Sequence, residues 1–333
     1  MAVTFHWPLG FDRVPDEDWT RVPVETLARR YDTVENHGWY ANLDPTVASL
    51  AADLRAGDVV IDYSGGTGIL AARLLARRPH VPFGVCIVDS SPKFLRLALE
   101  KFRDEPRIAF RLLRWRKEEK RLDYVDECVG SVLAERRADA LVSTNAVHLY
   151  QDLSGTFRAW ARVLRGGGRV YVQSGNVRNP AAPSGRWIID DTVAAVHREA
   201  LRMAREDARC ARWRDAAEDM ALQARHDAYR ERVFMPARPL AAYVDALRGA
   251  GLEVLRVEAR EVKARTAEWL EFLSVYHEAI LGWVGGIEKV EGRAPDASAV
   301  ADRLDMLGRA LERVVEGREV FEATWTYIDA RRP

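Results

Sequence analysis

At about 100–200 residues per domain, a chain of 333 residues has room for two or three units, and 48 % hydrophobic side chains are enough for a full core, which excludes a tail or a linker; the continuous pattern of elements reads as one elaborated domain. Fifty basic and fifty acidic side chains cancel, so no whole-molecule field gathers nucleic acid or an anionic membrane, and neither partner is expected. The three cysteines, Cys86, Cys128 and Cys210, are odd in number and lack CxxC spacing, against a disulfide framework or a zinc knuckle. No window approaches the roughly 20 apolar residues of a membrane helix, and the N-terminus is acidic where a secretory signal is basic then apolar, so the expected compartment is cytoplasmic.

Residues 1–50 read as an N-terminal helical cap. From 51 to 175 short β-branched runs alternate with amphipathic stretches, the pattern of a doubly wound α/β sheet. GDVVIDYS is strand one and GILAARLLARR its helix; VPFGVCIVD is strand two, followed by a helix that Ser91 caps with Pro92 at its first position. RIAFRLL and ADALVST are strands three and four. DLSGTFRAWARVL is a helix closed by Gly166, Gly167 and Gly168 before strand five, RVYVQSG. Residues 176–240 form a helical insertion, in which 190–232 reads as one long or two shorter helices. Between 241 and 333 lie a helix ending at glycine, an alternating strand six (252–264), a second helical insertion and an antiparallel strand seven (320–330), for a seven-stranded sheet. In that second insertion Val300, Leu304, Leu307, Leu311 and Val314 recur at helical spacing.

The most informative segment is VVIDYSGGTG at 59–68, an apolar strand ending in Asp62 that runs into a glycine turn at the start of a helix. Such glycines let backbone approach a ligand closely and adopt positive φ. Strand two ends in Asp89, placed for a carboxylate that accepts both hydroxyls of a ribose. Asp62, Gly66, Gly68, Asp89, the strand ending in SerThrAsn and the run LeuArgGlyGlyGlyArgValTyrVal together resemble the class I S-adenosyl-L-methionine-dependent methyltransferases. The resemblance implies that S-adenosylmethionine is the cofactor, that the turn of Asp62, Ser64, Gly65, Gly66 and Gly68 holds its methionine half, and that Asp89 with Ser90 binds the ribose. Ser64 departs from the family, which has glycine there. The family's acidic residue after strand three is replaced by LLRWRKEEK, which leaves Trp115 as a stacking neighbour for adenine or a packed or exposed side chain. A dinucleotide oxidoreductase shares the strand, turn and acidic strand end, but needs GxGxxG, and Asp62 at the mouth repels a pyrophosphate.

Methyl transfer demands alignment above all, with a base only where the acceptor atom must lose a proton. STNAVHLYQD after strand four carries Asn145, a cofactor contact, His148, a general base, and Tyr150, a substrate contact. The Asn-Pro-Pro-aromatic box of nucleobase and amide methyltransferases is absent from this segment. In the cap, Tyr31 and His37 are further catalytic candidates, with an aromatic face available to a sulfonium. Asn176, Arg178 and Trp187 after strand five, with Trp269 and Tyr276 in the second insertion, are candidate substrate contacts. Both insertions offer aromatics, Trp213, Phe234, Phe272 and Trp283 among them, for a lid over a small or medium-sized organic acceptor or for simple docking. No metal is expected, since no third ligand accompanies Asp190 and Asp191. The basic run at 111–121 is interleaved with acids and reads as a solvated face. A homodimer through the helical insertions is expected as a partner, and two alternatives stay open: the same cofactor used as an aminocarboxypropyl donor or cyclised, releasing methylthioadenosine, and a non-catalytic nucleoside-binding or oligomerisation module.

Overall fold

The computed structural model describes residues 5–333, so the first four residues of the expected cap lie outside it. Strands β1 (Val59–Tyr63), β2 (Gly84–Asp89), β3 (Ile108–Leu112), β4 (Ala138–Thr144), β5 (Leu164–Ser174), β6 (Glu253–Arg265) and β7 (Val320–Arg331) form one sheet in the order β6-β7-β5-β4-β1-β2-β3. β7 runs antiparallel to both its neighbours, and the other pairings among β1 to β5 are parallel. β1 and β2 are buried at every position, as expected for apolar runs covered on both faces. Strand order reverses between β4 and β1, which opens a crevice outside their carboxyl ends. Asp62, near the end of β1, sits at that switch point, level with Ile87 of β2 and Val142 of β4.

One face of the sheet is covered by α1 (Thr26–Asp32), the 3-10 turns that follow it, α2 (Asp44–Asp53), α3 (Ile69–Arg77) and α4 (Pro92–Lys101), together with the inserted helices. The other carries α5 (Leu153–Val163) and, after the first insertion, a helix that closes the βα alternation. The helix of α4 begins as its sequence dictates: the Ser91 hydroxyl accepts from Phe94 N at 3.3 Å, with Pro92 in the first turn.

The stretch 190–232 departs from a continuous helix. It divides into α6 (Ile189–Glu206), a 3-10 turn, a short helix and α7 (Met220–Val233), because Asp207 and Asp219 fold back to accept from backbone N–H groups of the next turn. Next come α8 (Leu240–Gly249) and, between β6 and β7, α9 (Thr266–Val275) and α10 (Ala297–Val314). In α10 the expected apolar stripe is off by a fraction of a turn: Leu307 and Leu311 are buried with Met306 and Ala310, whereas Leu304 is 38 % exposed. The fully buried Arg303 extends the stripe inward and donates to the carbonyls of Val284 and Gly286.

Two other differences are local. β5 begins at Leu164, so the three glycines lie within the strand, where its register against β4 slips between Ala138 and Ala140. The basic run after β3 forms a small hairpin, Trp115–Arg116 against Arg121–Leu122. Among the described residues no helix is long and apolar enough to cross a membrane.

Candidate functional site

The turn after β1 is held from two sides. The N–H groups of Ser64 and Gly65 donate to Val88 O at 2.7 and 3.1 Å, and Gly68 N–H closes the turn onto Gly65 O at 2.9 Å. Gly66 N–H donates to Asp89 Oδ2 at 2.9 Å, and Ser91 N–H donates to Asp89 Oδ1 at 2.7 Å. Gly65 passes so close over Asp62 that a Cβ would stand 2.6 Å from its Oδ2. Gly66, at φ +57°, would aim a Cβ into open space.

Beneath this turn Asp62 is fully buried, and neither carboxylate oxygen has a hydrogen-bond partner. Burial, helped by the nearby Asp89, pushes its carboxyl up to about 7. Asp89 is also raised by burial, against which the N–H groups of Ser91, Gly66 and Ser90 pull it back. S-adenosylmethionine, the group the sequence resemblance implies, brings an ammonium, a sulfonium and a ribose diol. An orphaned buried carboxylate, an open backbone turn and a second carboxylate with lone pairs beyond its backbone amide bonds fit that donor set. In such a complex Asp62 and the turn would hold the amino-acid end, and Asp89 the ribose.

Beside Asp89 the cap supplies an aromatic wall. Tyr31 stacks on Phe94 of α4 with ring centroids 4.6 Å apart. Its hydroxyl faces those of Tyr40 and Tyr276: proximity to Tyr40 and burial raise Tyr31 well above the ordinary phenol range, and burial lifts Tyr40 to about 12. All three are therefore neutral phenols near pH 7. Asn145, at φ +55°, donates to Asn42 Oδ1 and accepts from Trp325 Nε1 at 2.8 Å; Gln173 donates to the same Asn42 oxygen at 3.0 Å. Amides from the cap, β4 and β5 thereby fix the end of the crevice.

Tyr31, His37, Phe272 and Tyr276 line a cavity of about 530 Å³ between the cap and α9, with Val34 and Leu270. The cap is tied to α9 across it: His37 Nε2 lies 2.9 Å from Glu271 Oε2, and Gly38 N–H donates to Glu268 Oε2 at 2.8 Å. Three residues singled out in the sequence, Tyr31, His37 and Tyr276, are thus brought together. Asn42, Gln173 and Glu271 were missed. Nothing local in the sequence marks these three.

The remaining candidates are dispersed. His148 Nδ1 is 2.9 Å from Ser174 Oγ, and burial with the nearby Arg238 pushes its pKa down to about 4, so it is uncharged at neutral pH and a weak base. Tyr150, expected as a substrate contact, turns its hydroxyl to Ser64 and Ser143. The Asn176 side chain donates to Met235 O and accepts from Asp190 N–H, which locks a loop joint. Trp269 is fully buried in the core with its indole N–H on Thr192, and Trp283 is 1 % exposed, so docking of the insertions accounts for both. Arg178 pairs with Asp190 and Asp191 and lines a separate open groove of about 700 Å³ against α8, which no residue of the glycine turn reaches. Trp187 bridges to Ala323 of β7. Ser90 is exposed at the tip of β2, and Trp115, 57 % exposed, stands on the hairpin after β3. Among the described residues no group of three His, Cys, Asp or Glu is arranged for a metal ion.

Residues 61–172 match the family described as a methyltransferase domain. No curated protein matches the chain. Among solved structures the chain is similar to the YcgJ protein of Bacillus subtilis (13 % identity, 88 % of this chain and 98 % of that one, TM-score 0.49). It is also similar to the [4+2]-cyclase SpnF (15 %, 92 % and 92 %, TM-score 0.49). A third is phosphoethanolamine N-methyltransferase 2 of Haemonchus contortus, in complex with S-adenosyl-L-methionine (14 %, 92 % and 56 %, TM-score 0.48).

Proposed function

We propose that this chain, which carries a class I S-adenosylmethionine-dependent methyltransferase domain, transfers a methyl group to a small or medium-sized organic acceptor seated between the cap and α9. The observation that carries the reading is Asp62: a buried carboxylate without a partner, under a turn whose Gly66 opens onto free space. Leaving such a group unpaired is expensive unless a ligand completes it. When bound, the cofactor supplies a methyl group already activated on sulfur, so the protein's part is alignment and exclusion of water, on the order of 7–11 kcal/mol of barrier.

The chain's residues divide that task. Asp62, Gly65 and Gly66 orient the donor, and Tyr31 presents a π face beside Asp89, worth roughly 0.5–2 kcal/mol toward a sulfonium. The cavity of about 530 Å³ falls within the range of small-molecule sites and supports an acceptor of that class. We assign proton movement to His37: with Glu271 on Nε2, the buried and unpartnered Nδ1 is left as the acceptor. His148, tied to Ser174, is not needed for that role.

The test is to incubate the protein with S-adenosylmethionine and a panel of small amines, phenols, thiols and heteroaromatics, and to identify the nucleoside product. S-adenosylhomocysteine formed only with certain acceptors supports methyl transfer. Methylthioadenosine overturns it in favour of attack at the aminocarboxypropyl chain. His37→Gln is expected to lower kcat at least tenfold with cofactor affinity unchanged; an unchanged kcat removes His37 from the reaction.

A further inference from the structure

Ser64 occupies a left-handed backbone conformation, φ +62°, in the middle of the turn that follows β1. A serine rarely rests there unless its surroundings hold it. The holding group is visible: Ser64 Oγ lies 2.9 Å from the Tyr150 hydroxyl, which is also 2.7 Å from Ser143 Oγ. Ser143 is fully buried on β4, the strand paired with β1, and so forms a fixed anchor. The Tyr150 ring is wedged edge-on against Tyr63 and Trp160, with centroids 5.4 and 6.1 Å away. Its own carbonyl accepts from Arg238 Nη1 at 2.6 Å. A rigid phenol therefore carries the position of β4 to the one strained residue of the glycine turn.

We propose that Tyr150 is a positioning residue for the cofactor turn: its hydroxyl, anchored on Ser143, holds Ser64 in the left-handed conformation that a glycine would adopt unaided. Ser64 N–H and Gly65 N–H both donate to Val88 O, and Gly65 lies directly over Asp62. A relaxed Ser64 would therefore displace the backbone that frames Asp62 and Gly66. Tyr150 acts through Ser64 without touching the acceptor. The inference rests on the cofactor reading given above, and supplies what Ser64 does in place of glycine.

Titration calorimetry with S-adenosylhomocysteine on the full chain tests it through a double-mutant cycle. Tyr150→Phe is expected to weaken binding about fivefold, as for one hydrogen bond. Ser64→Gly, which needs no restraint, removes the dependence of this turn on Tyr150. In the Ser64→Gly background, Tyr150→Phe should have no further effect. Ser64→Ala, strained and without a hydroxyl, should bind more weakly than Ser64→Gly, and this pair decides the matter if Tyr150→Phe does not fold. Equal losses from Tyr150→Phe in both backgrounds, or equal binding by Ser64→Ala and Ser64→Gly, overturn the proposal alone. A wild-type protein that binds no S-adenosylhomocysteine overturns the cofactor reading and this inference with it.

Discussion

Replacing Asp62 by Asn should make the ligand-free protein more stable and the protein unable to bind its cofactor. The carboxyl group is fully buried, has no partner and titrates at about 7, against an ordinary value of 3.8. In the folded chain it keeps its proton to higher pH, so its contribution to stability is complete below pH 4 and is lost as the pH rises through 7. The difference of about three pH units corresponds to about 4 kcal/mol at pH 8 and above. An asparagine carries no charge to desolvate but leaves a polar amide in the same place, which offsets part of the gain. For a chain of this length the net effect is a rise in melting temperature of about 3–6 °C at pH 8, shrinking toward zero near pH 4. Thermal unfolding of both proteins without ligand at pH 8 and pH 5 reads the first half. Calorimetry with S-adenosylhomocysteine reads the second, where loss of the carboxylate should weaken binding at least 30-fold through missing charge-assisted hydrogen bonds. A variant that melts below wild type at pH 8, or that binds as tightly, refutes the reasoning.

Asp89→Asn should also weaken binding, and unlike Asp62→Asn should lower the melting temperature, because Asp89 holds Gly66 N–H and Ser91 N–H in the unliganded turn; a rise in melting temperature would contradict this. His148 and His197 are both pushed down to about 4, mainly by burial, so each supports the fold above pH 6.5 and withdraws that support as the pH falls from 6.5 toward 4. His148→Asn and His197→Asn should therefore flatten the acid limb of the stability curve by on the order of 2 kcal/mol each between pH 7 and pH 5, measured by urea unfolding at those two pH values. Arg303→Met should destabilise the insertion by about 3 kcal/mol in the same urea assay, since the carbonyls of Val284 and Gly286 lose a buried donor; a change under about 0.5 kcal/mol would show that water replaces it.

The glycine turn was legible because its chemistry is contiguous: Asp62 to Gly68 is one strand end, one turn and one helix start, and Asp89 follows from the next strand's length. The parallel sheet was legible for the same reason, each strand and helix announcing its period within a dozen residues. What escaped are contacts across long separations. Glu271 meets His37 from 234 positions away, and Asn42 gathers Asn145 and Gln173 from 103 and 131 positions away. Tyr150 lies 86 positions from Ser64, so the departure from glycine could be noticed in the sequence but its support could not. The aromatic residues were ambiguous in kind: Trp269 and Tyr276 stand a few positions apart on the same insertion, yet one fills the core and the other the cavity wall. The breaks at Asp207 and Asp219 show how a capping side chain overrides a run of good helix formers.

The most direct test of the account is a crystal structure of the chain with S-adenosylhomocysteine. In that complex the ligand's ammonium is expected against Asp62, its ribose hydroxyls on Asp89 and its sulfur facing Tyr31. A ligand seated instead in the groove beside α8, or a turn that rejects it with Asp62 still unpaired, would contradict the assignment.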